Sequence, residues 1–234
     1  MKVEIWSDVV CPWCYIGKRR FERALAQFPG RDAVELVWRS FELDPSAPPS
    51  TRLRGDYGDR LATKYGVTRA QAQQMLDTMT ASAAAEGLHF DFGIATGGNT
   101  FDAHRLLHLA RERGLQDPLK ERLDRATFGE GLSVSDAEAL VPLAVEVGLD
   151  EAEVREVLGS GRYADAVRAD EAQAVAYRIS GVPFFVVDGR YGISGAQPSE
   201  LIAEVLQKAW ESSPLSVVGG RTAAPGCAGD ACAV

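Results

Sequence analysis

Cys11-Pro12-Trp13-Cys14 follows a β-favouring run, Val3-Glu4-Ile5-Trp6-Ser7, and leads into Tyr15–Leu25 and beyond, with apolar residues at 16, 21, 24, 25 and 28. That spacing is one face of a helix. Pro12 is suited to its first turn, where a missing N–H removes no bond. The two thiols therefore stand at a strand–helix junction. Two residues between cysteines allow a small disulfide ring. A helix N-terminus supplies free N–H groups and a positive dipole end that favour thiolate, the species that attacks disulfides. The pattern points to thiol–disulfide exchange. Half of a zinc site, or two plain core thiols, are the alternatives that the four residues alone leave open.

Working outward, the first helix stops near Pro29-Gly30, and Val34–Phe41 alternates as a second strand. Asp44–Ser50 is a proline-rich loop. From about 55 to 180 the chain reads as helical. Thr68-Arg69-Ala70-Gln71 opens a segment reaching Ala85-Glu86-Gly87, and further helices cover 101–113, 119–128, 150–158 and 163–179. Ser135-Asp136-Ala137-Glu138 has capping-box spacing and opens another. Pro183–Val187 is a strand, Asp188-Gly189 a hairpin turn, Tyr191–Ile193 a return strand, and Gln197-Pro198-Ser199-Glu200 opens the last helix. The fold class is thus α/β: a β-α-β / β-β-α unit, residues 1–50 and 181–213, split by an all-α insertion over 51–180. Residues 214–234 read as a flexible tail.

The chain has 234 residues, 46% hydrophobic and 25% charged, with a net charge of −8. These values fit a soluble globular protein, and the acidic balance argues against nucleic-acid partners. No apolar run approaches the ~20 residues of a membrane span, and no signal peptide is visible, so a cytoplasmic location is expected. The four cysteines form two local pairs, Cys11/Cys14 and Cys227/Cys232. A structural disulfide framework would spread them through the fold.

Three segments carry a family resemblance: Ser7-Asp8-Val9-Val10-Cys11-Pro12-Trp13-Cys14-Tyr15-Ile16-Gly17, Asn99-Thr100-Phe101-Asp102-Ala103-His104-Arg105-Leu106, and Gly181-Val182-Pro183-Phe184-Phe185-Val186. Through about residue 213 the chain resembles the DsbA family of thioredoxin-fold oxidoreductases, most closely its FrnE-like branch. The resemblance implies a thioredoxin-like fold and a cis bond at Val182-Pro183 facing the dithiol, with the backbone of Val182 left to pair with substrate. It implies that Cys11 is an exposed nucleophile and Cys14 the resolving thiol, with Pro12, Trp13, Val182 and Pro183 around the substrate. Trp13 is expected to be exposed, Trp6 and Trp38 buried. Asp8 is a candidate proton acceptor or a plain polar residue at a strand end. Asn99 and His104 are candidates for the cleft wall, against the commoner reading of a helix histidine as structural.

The Pro-Trp interior lacks the histidine typical of the family's periplasmic oxidants, which leaves the direction of exchange open. The FrnE-like branch also implies a second C-x4-C pair, matched by Cys227 and Cys232, as an electron relay. A 15-residue tether spans about 20 Å, enough to reach the first pair. No metal and no bound cofactor are expected. The expected partners are cysteine-containing protein substrates and a cellular thiol reductant, with glutathione as one such thiol; monomer and homodimer remain equal options. Two other readings stand beside this one. One is a small-molecule enzyme related to kappa-class glutathione transferases and 2-hydroxychromene-2-carboxylate isomerases, which typically carry serine at the first cysteine position, with a role on polyketides. The other is a zinc-binding or redox-sensing module.

Overall fold

The computed structural model describes residues 1–48 and 56–212. A four-stranded sheet runs in the order β2-β1-β3-β4, with β1 Lys2–Ser7, β2 Glu35–Ser40, β3 Phe184–Val187 and β4 Tyr191–Ser194. β1 pairs parallel to β2 (Ile5 opposite Trp38) and antiparallel to β3 (Ile5 opposite Phe185). The parallel pair needs a crossover, and α1, Pro12–Gln27, provides it. β3 and β4 form a hairpin in which Asp188 and Gly189 both have positive φ, as a type I′ turn demands. α9, Ser199–Glu211, closes the unit beside α1.

Between β2 and β3 run α2 Tyr57–Tyr65, α3 Arg69–Ala85, α4 Phe101–Glu112, α5 Gln116–Arg125, a π-helical turn Ala126–Glu130, α6 Ala137–Glu146, α7 Glu151–Gly159 and α8 Ala164–Ala176. This is a thioredoxin-like sheet with an inserted helical block. A capping box is present at Thr68, with Gln71 returning to the Thr68 N–H. The one expected at Ser135 is not. Asp136 caps α6 by accepting from the Glu138 N–H at 3.0 Å, while the Ser135 hydroxyl bonds to Ser133. A carboxylate one residue nearer the helix takes the orphan donor first.

Val3, Ile5, Phe21, Phe28, Phe185, Ile193, Ile202 and Leu206 form the core between the sheet and the α1/α9 pair. A second core of Leu106, Leu109, Leu119, Leu123, Leu140, Leu143, Val154 and Val157 fills the helical block, and Val9 from the turn before Cys11 is buried in it. The turn that carries the dithiol is therefore anchored in the block.

α8 is fastened to the sheet by Asp170. Its carboxylate accepts from the Ser40 N–H at 2.9 Å and Arg39 Nη1 at 2.8 Å, and His108 Nε2 lies at 3.2 Å. Its backbone carbonyl accepts from Trp6 Nε1 at 2.9 Å. Burial raises the carboxyl's pKa, but the donors His108, Ser40 and Arg39 outweigh it and hold the group below its ordinary value. A depressed carboxyl stabilises the fold above its unfolded pKa and loses that contribution as pH falls through the folded one. Asp170→Asn is expected to lower stability at pH 7 by about 3 kcal/mol, the scale of a broken buried pair. Urea titration should show the gap to wild type closing below about pH 4.

Among the described residues, no helix is long and apolar enough to cross a membrane.

Candidate active site

β1 ends at Ser7, and a turn closed by the Cys11 N–H on the Asp8 carbonyl (3.3 Å) delivers Cys11 to the N-cap of α1. No side chain caps this end, so the first-turn N–H groups and the dipole act on the Cys11 sulfur. Cys11 and Cys14 are both free thiols. The Val182-Pro183 bond is cis, and the Val182 carbonyl lies 3.6 Å from Cys11 Sγ. α1 meets this loop at Gly17, where an added Cβ would stand 2.9 Å from Pro183 Cγ. Only glycine admits the contact, which explains Gly17 in the first quoted segment.

Cys11 is 4% exposed, not the open nucleophile expected, because the loop ending at Pro183 sits against its sulfur. Trp13 is half-buried rather than exposed, packing on the cluster that contains Tyr15, Phe90 and Phe128. Trp6 and Trp38 are core residues. Tyr57 begins α2, and its ring packs on Phe92 at a 50° tilt, ring centres 4.8 Å apart. Its phenol is pushed up by burial and then by the negative charge of Cys11. A cavity of about 210 Å³ lies between Tyr57, Arg69, Phe90 and Phe92.

Cys14 is fully buried. Burial drives its thiol well up and Cys11 adds to this, while Lys120 and Ser7 favour the thiolate. Lys120 comes from α5, where its ammonium bonds Asp124 at 2.6 Å and lies 5.3 Å from the Trp38 ring centre. Both members of the pair are buried, and burial outweighs the ammonium to push the Asp124 carboxyl up to about 7. Neither stands out in the sequence, since a charged i, i+4 pair on a helix is ordinarily a solvated surface bridge. The one available clue is that Leu119 and Leu123 flank them on the apolar face.

A polar seam joins α1 to α5 beside this pair. Tyr15 donates to Glu121 at 2.6 Å, Lys18 lies 3.2 Å from both Asp117 and Glu121, and Trp38 Nε1 donates to Asp117 at 2.9 Å.

Asp8 is buried, accepts from the Leu43 N–H at 2.8 Å and faces His104 Nε2 at 3.4 Å. His104 is buried behind the dithiol turn and lines no open cleft. Asn99 is drawn away too. It accepts from the Phe101 N–H at 3.0 Å and donates weakly to Glu42 at 3.4 Å, which shapes the entry to α4. Cys227 and Cys232 lie outside the described residues. Among the described residues, no three His, Cys, Asp or Glu side chains cluster as metal ligands. Ser40, His108 and Asp170 have the residue types of a hydrolytic triad. Yet Ser40 Oγ and Asp170 both stand 3.2 Å from the same nitrogen, Nε2, so the imidazole cannot pass a proton between them.

The dithiol thus stands at a strand–helix junction, opposite a cis-proline. The model of the DSBA-like thioredoxin domain matches residues 2–207. The chain belongs to this family. An uncharacterized protein of Bacillus subtilis, YwbO, is 30% identical over 208 residues, 87% of this chain and 94% of that one. The crystal structure of a probable DsbA oxidoreductase from Streptomyces coelicolor is 50% identical, with a TM-score of 0.86 and 94% of each chain covered. A cytosolic disulfide reductase of Pseudomonas aeruginosa, DsbM, solved with GSH, shares the fold at 16% identity and a TM-score of 0.62, covering 89% of this chain and 98% of its own. As a member of this family the chain is a DsbA-like oxidoreductase.

Proposed function

We propose that the protein exchanges disulfides with protein substrates through Cys11 and Cys14. The observation that carries this reading is the asymmetry of the two sulfurs. Cys11 stands at an uncapped helix N-terminus against the Val182 carbonyl, and Cys14 is buried one turn in, its thiol pushed well up. In the oxidising direction a substrate thiolate attacks Cys11 Sγ of the disulfide. The S–S bond breaks, Cys14 leaves as thiolate and takes up a proton. A second substrate thiolate then attacks the substrate sulfur of the mixed disulfide, and Cys11 leaves. The substrate loses two electrons and the dithiol gains them. In the reducing direction Cys11 thiolate attacks first and Cys14 loses its proton to resolve. Lys120 stabilises the Cys14 thiolate, and Asp124, titrating near neutrality, takes the proton.

Val182 and Pro183 with Trp13 and Pro12 frame the substrate segment. A cellular thiol reductant regenerates the dithiol, and Cys227/Cys232 act as its relay. The cellular location that fits such a reductant is the cytoplasm.

The test compares turnover of a reduced, unfolded protein and of insulin with that of glutathione disulfide. Backbone and side-chain contacts flanking the cysteine should favour the protein substrates by about tenfold or more in kcat/KM. Preference for glutathione disulfide would overturn the protein specificity and support the small-molecule reading.

A further inference from the structure

We propose that Asp8 and His104 form a buried charge-compensating pair that positions the dithiol turn and ties the reactivity of Cys11 to the proton on His104. The proposal rests on the reading of Cys11 as nucleophile and adds a positioning element to it.

The two side chains come from different parts of the fold, the turn after β1 and helix α4, and each is 1% exposed. They face each other at 3.4 Å, yet neither Asp8 Oδ1 nor His104 Nε2 has a hydrogen-bond partner. Buried polar atoms left in this state are rare, and each calls for a reason. Asp8 is bound into the redox loop at two other points. Its carbonyl accepts the Cys11 N–H, and its second carboxylate oxygen accepts the Leu43 N–H, so the side chain staples the dithiol turn to the segment after β2. The pair therefore belongs to the turn that carries Cys11.

Glu42 follows β2 with its side chain fully buried and feels the His104 charge. Its partners are Arg168 at 2.5 Å and Asn99, and Glu171 on α8 adds a second carboxylate. Arg168 is half exposed and also bonds Glu171 at 2.6 Å, so its charge is shared between two acids. With Asp8 ionised, the pair carries zero charge when His104 is an imidazolium and −1 when it is neutral. The second state opposes formation of a Cys11 thiolate. At an effective dielectric constant near 20, one unit charge about 12 Å away changes a thiolate population by roughly tenfold.

The test is the rate of iodoacetamide alkylation of the reduced protein between pH 5 and 9, with the labelled cysteine located by peptide mapping. In wild type the Cys11 rate should carry a second inflection besides that of its own thiol. His104→Asn should remove that inflection and slow alkylation at pH 6 by about tenfold, because Asp8 is left uncompensated. Asp8→Asn keeps an acceptor for the Leu43 N–H and should raise the rate above wild type at pH 8. The double variant should return toward wild type rather than add the two effects, since coupled residues fail additivity. Profiles that superimpose on wild type, or differ from it by one constant factor at every pH, overturn the pair and leave a structural role only. If His104→Asn does not fold, Asp8→Asn alone decides by the same criterion. Wild-type protein with no label on Cys11 overturns the nucleophile assignment itself and the proposal with it, so the two failures are distinct.

Discussion

Cys11→Ser is expected to abolish disulfide exchange, a fall of about a thousandfold or more, with the fold intact. Serine is close to isosteric, and the N-cap of α1 accepts it readily. Its hydroxyl is not deprotonated near neutrality, and it forms no bond to sulfur that exchange could reverse. Cys14 cannot substitute. It is fully buried, and burial by itself drives its thiol up. The reciprocal variant separates the roles. Cys14→Ser keeps the attacking sulfur and loses the resolving one, so mixed disulfides with substrate should accumulate and be visible on non-reducing gels. Insulin reduction and oxidation of a reduced test protein measure the loss. Residual activity in Cys11→Ser above a few per cent of wild type would remove Cys11 from the mechanism.

Cys11 also shows which parts of the site could be read from the chain. Chain-local devices were legible. Pro12 at the start of α1, the Asp188-Gly189 turn and the helix start at Thr68-Arg69-Ala70-Gln71 each act over a few residues, and each is found where the pattern placed it. α2 was absorbed into an undivided helical stretch, although Asp56 caps it and Gly66 ends it in the left-handed conformation. Ser135 failed because two capping residues stood side by side, and spacing alone does not rank them. The exposure of Cys11 failed for a different reason. It depends on how closely the loop before Pro183 lies against the sulfur, a contact between residues 171 positions apart. His104 and Asn99 were legible as polar residues on the helical block, but whether they face a cleft or the back of a turn is decided by how α4 packs. Asp124 and Lys120 were invisible on the same ground, since a charged pair at i, i+4 looks identical on a solvated and on a buried face.

That buried pair carries the second large effect. Asp124→Ala is expected to destabilise the protein by about 3–5 kcal/mol at pH 7, because it strands the Lys120 ammonium in an interior site with no carboxylate. In a chain of this size that corresponds to a melting point lower by roughly 6–20 °C. The Trp38 ring, 5.3 Å away, offsets only part of the loss. Lys120→Met should be milder. The Asp124 carboxyl already titrates at about 7, so without its partner it takes a proton and becomes neutral rather than remaining a buried anion.

The pH dependence follows from the sign of the shift. A carboxyl whose folded pKa is raised binds its proton more tightly in the folded state. Its contribution is most favourable below the unfolded value near 4 and is lost as pH rises toward 7. Lys120→Met/Asp124→Leu fills the same volume without charge and should recover most of the lost stability, measured by urea titration at pH 7. Recovery of stability should not restore chemistry. Without the Lys120 ammonium and its Asp124 partner, release of mixed disulfides should slow by about tenfold or more in single-turnover reduction, while attack by Cys11 on the substrate disulfide keeps its wild-type rate. A stable double variant that resolves mixed disulfides at full speed would leave the pair as packing alone and require another acceptor for the Cys14 proton.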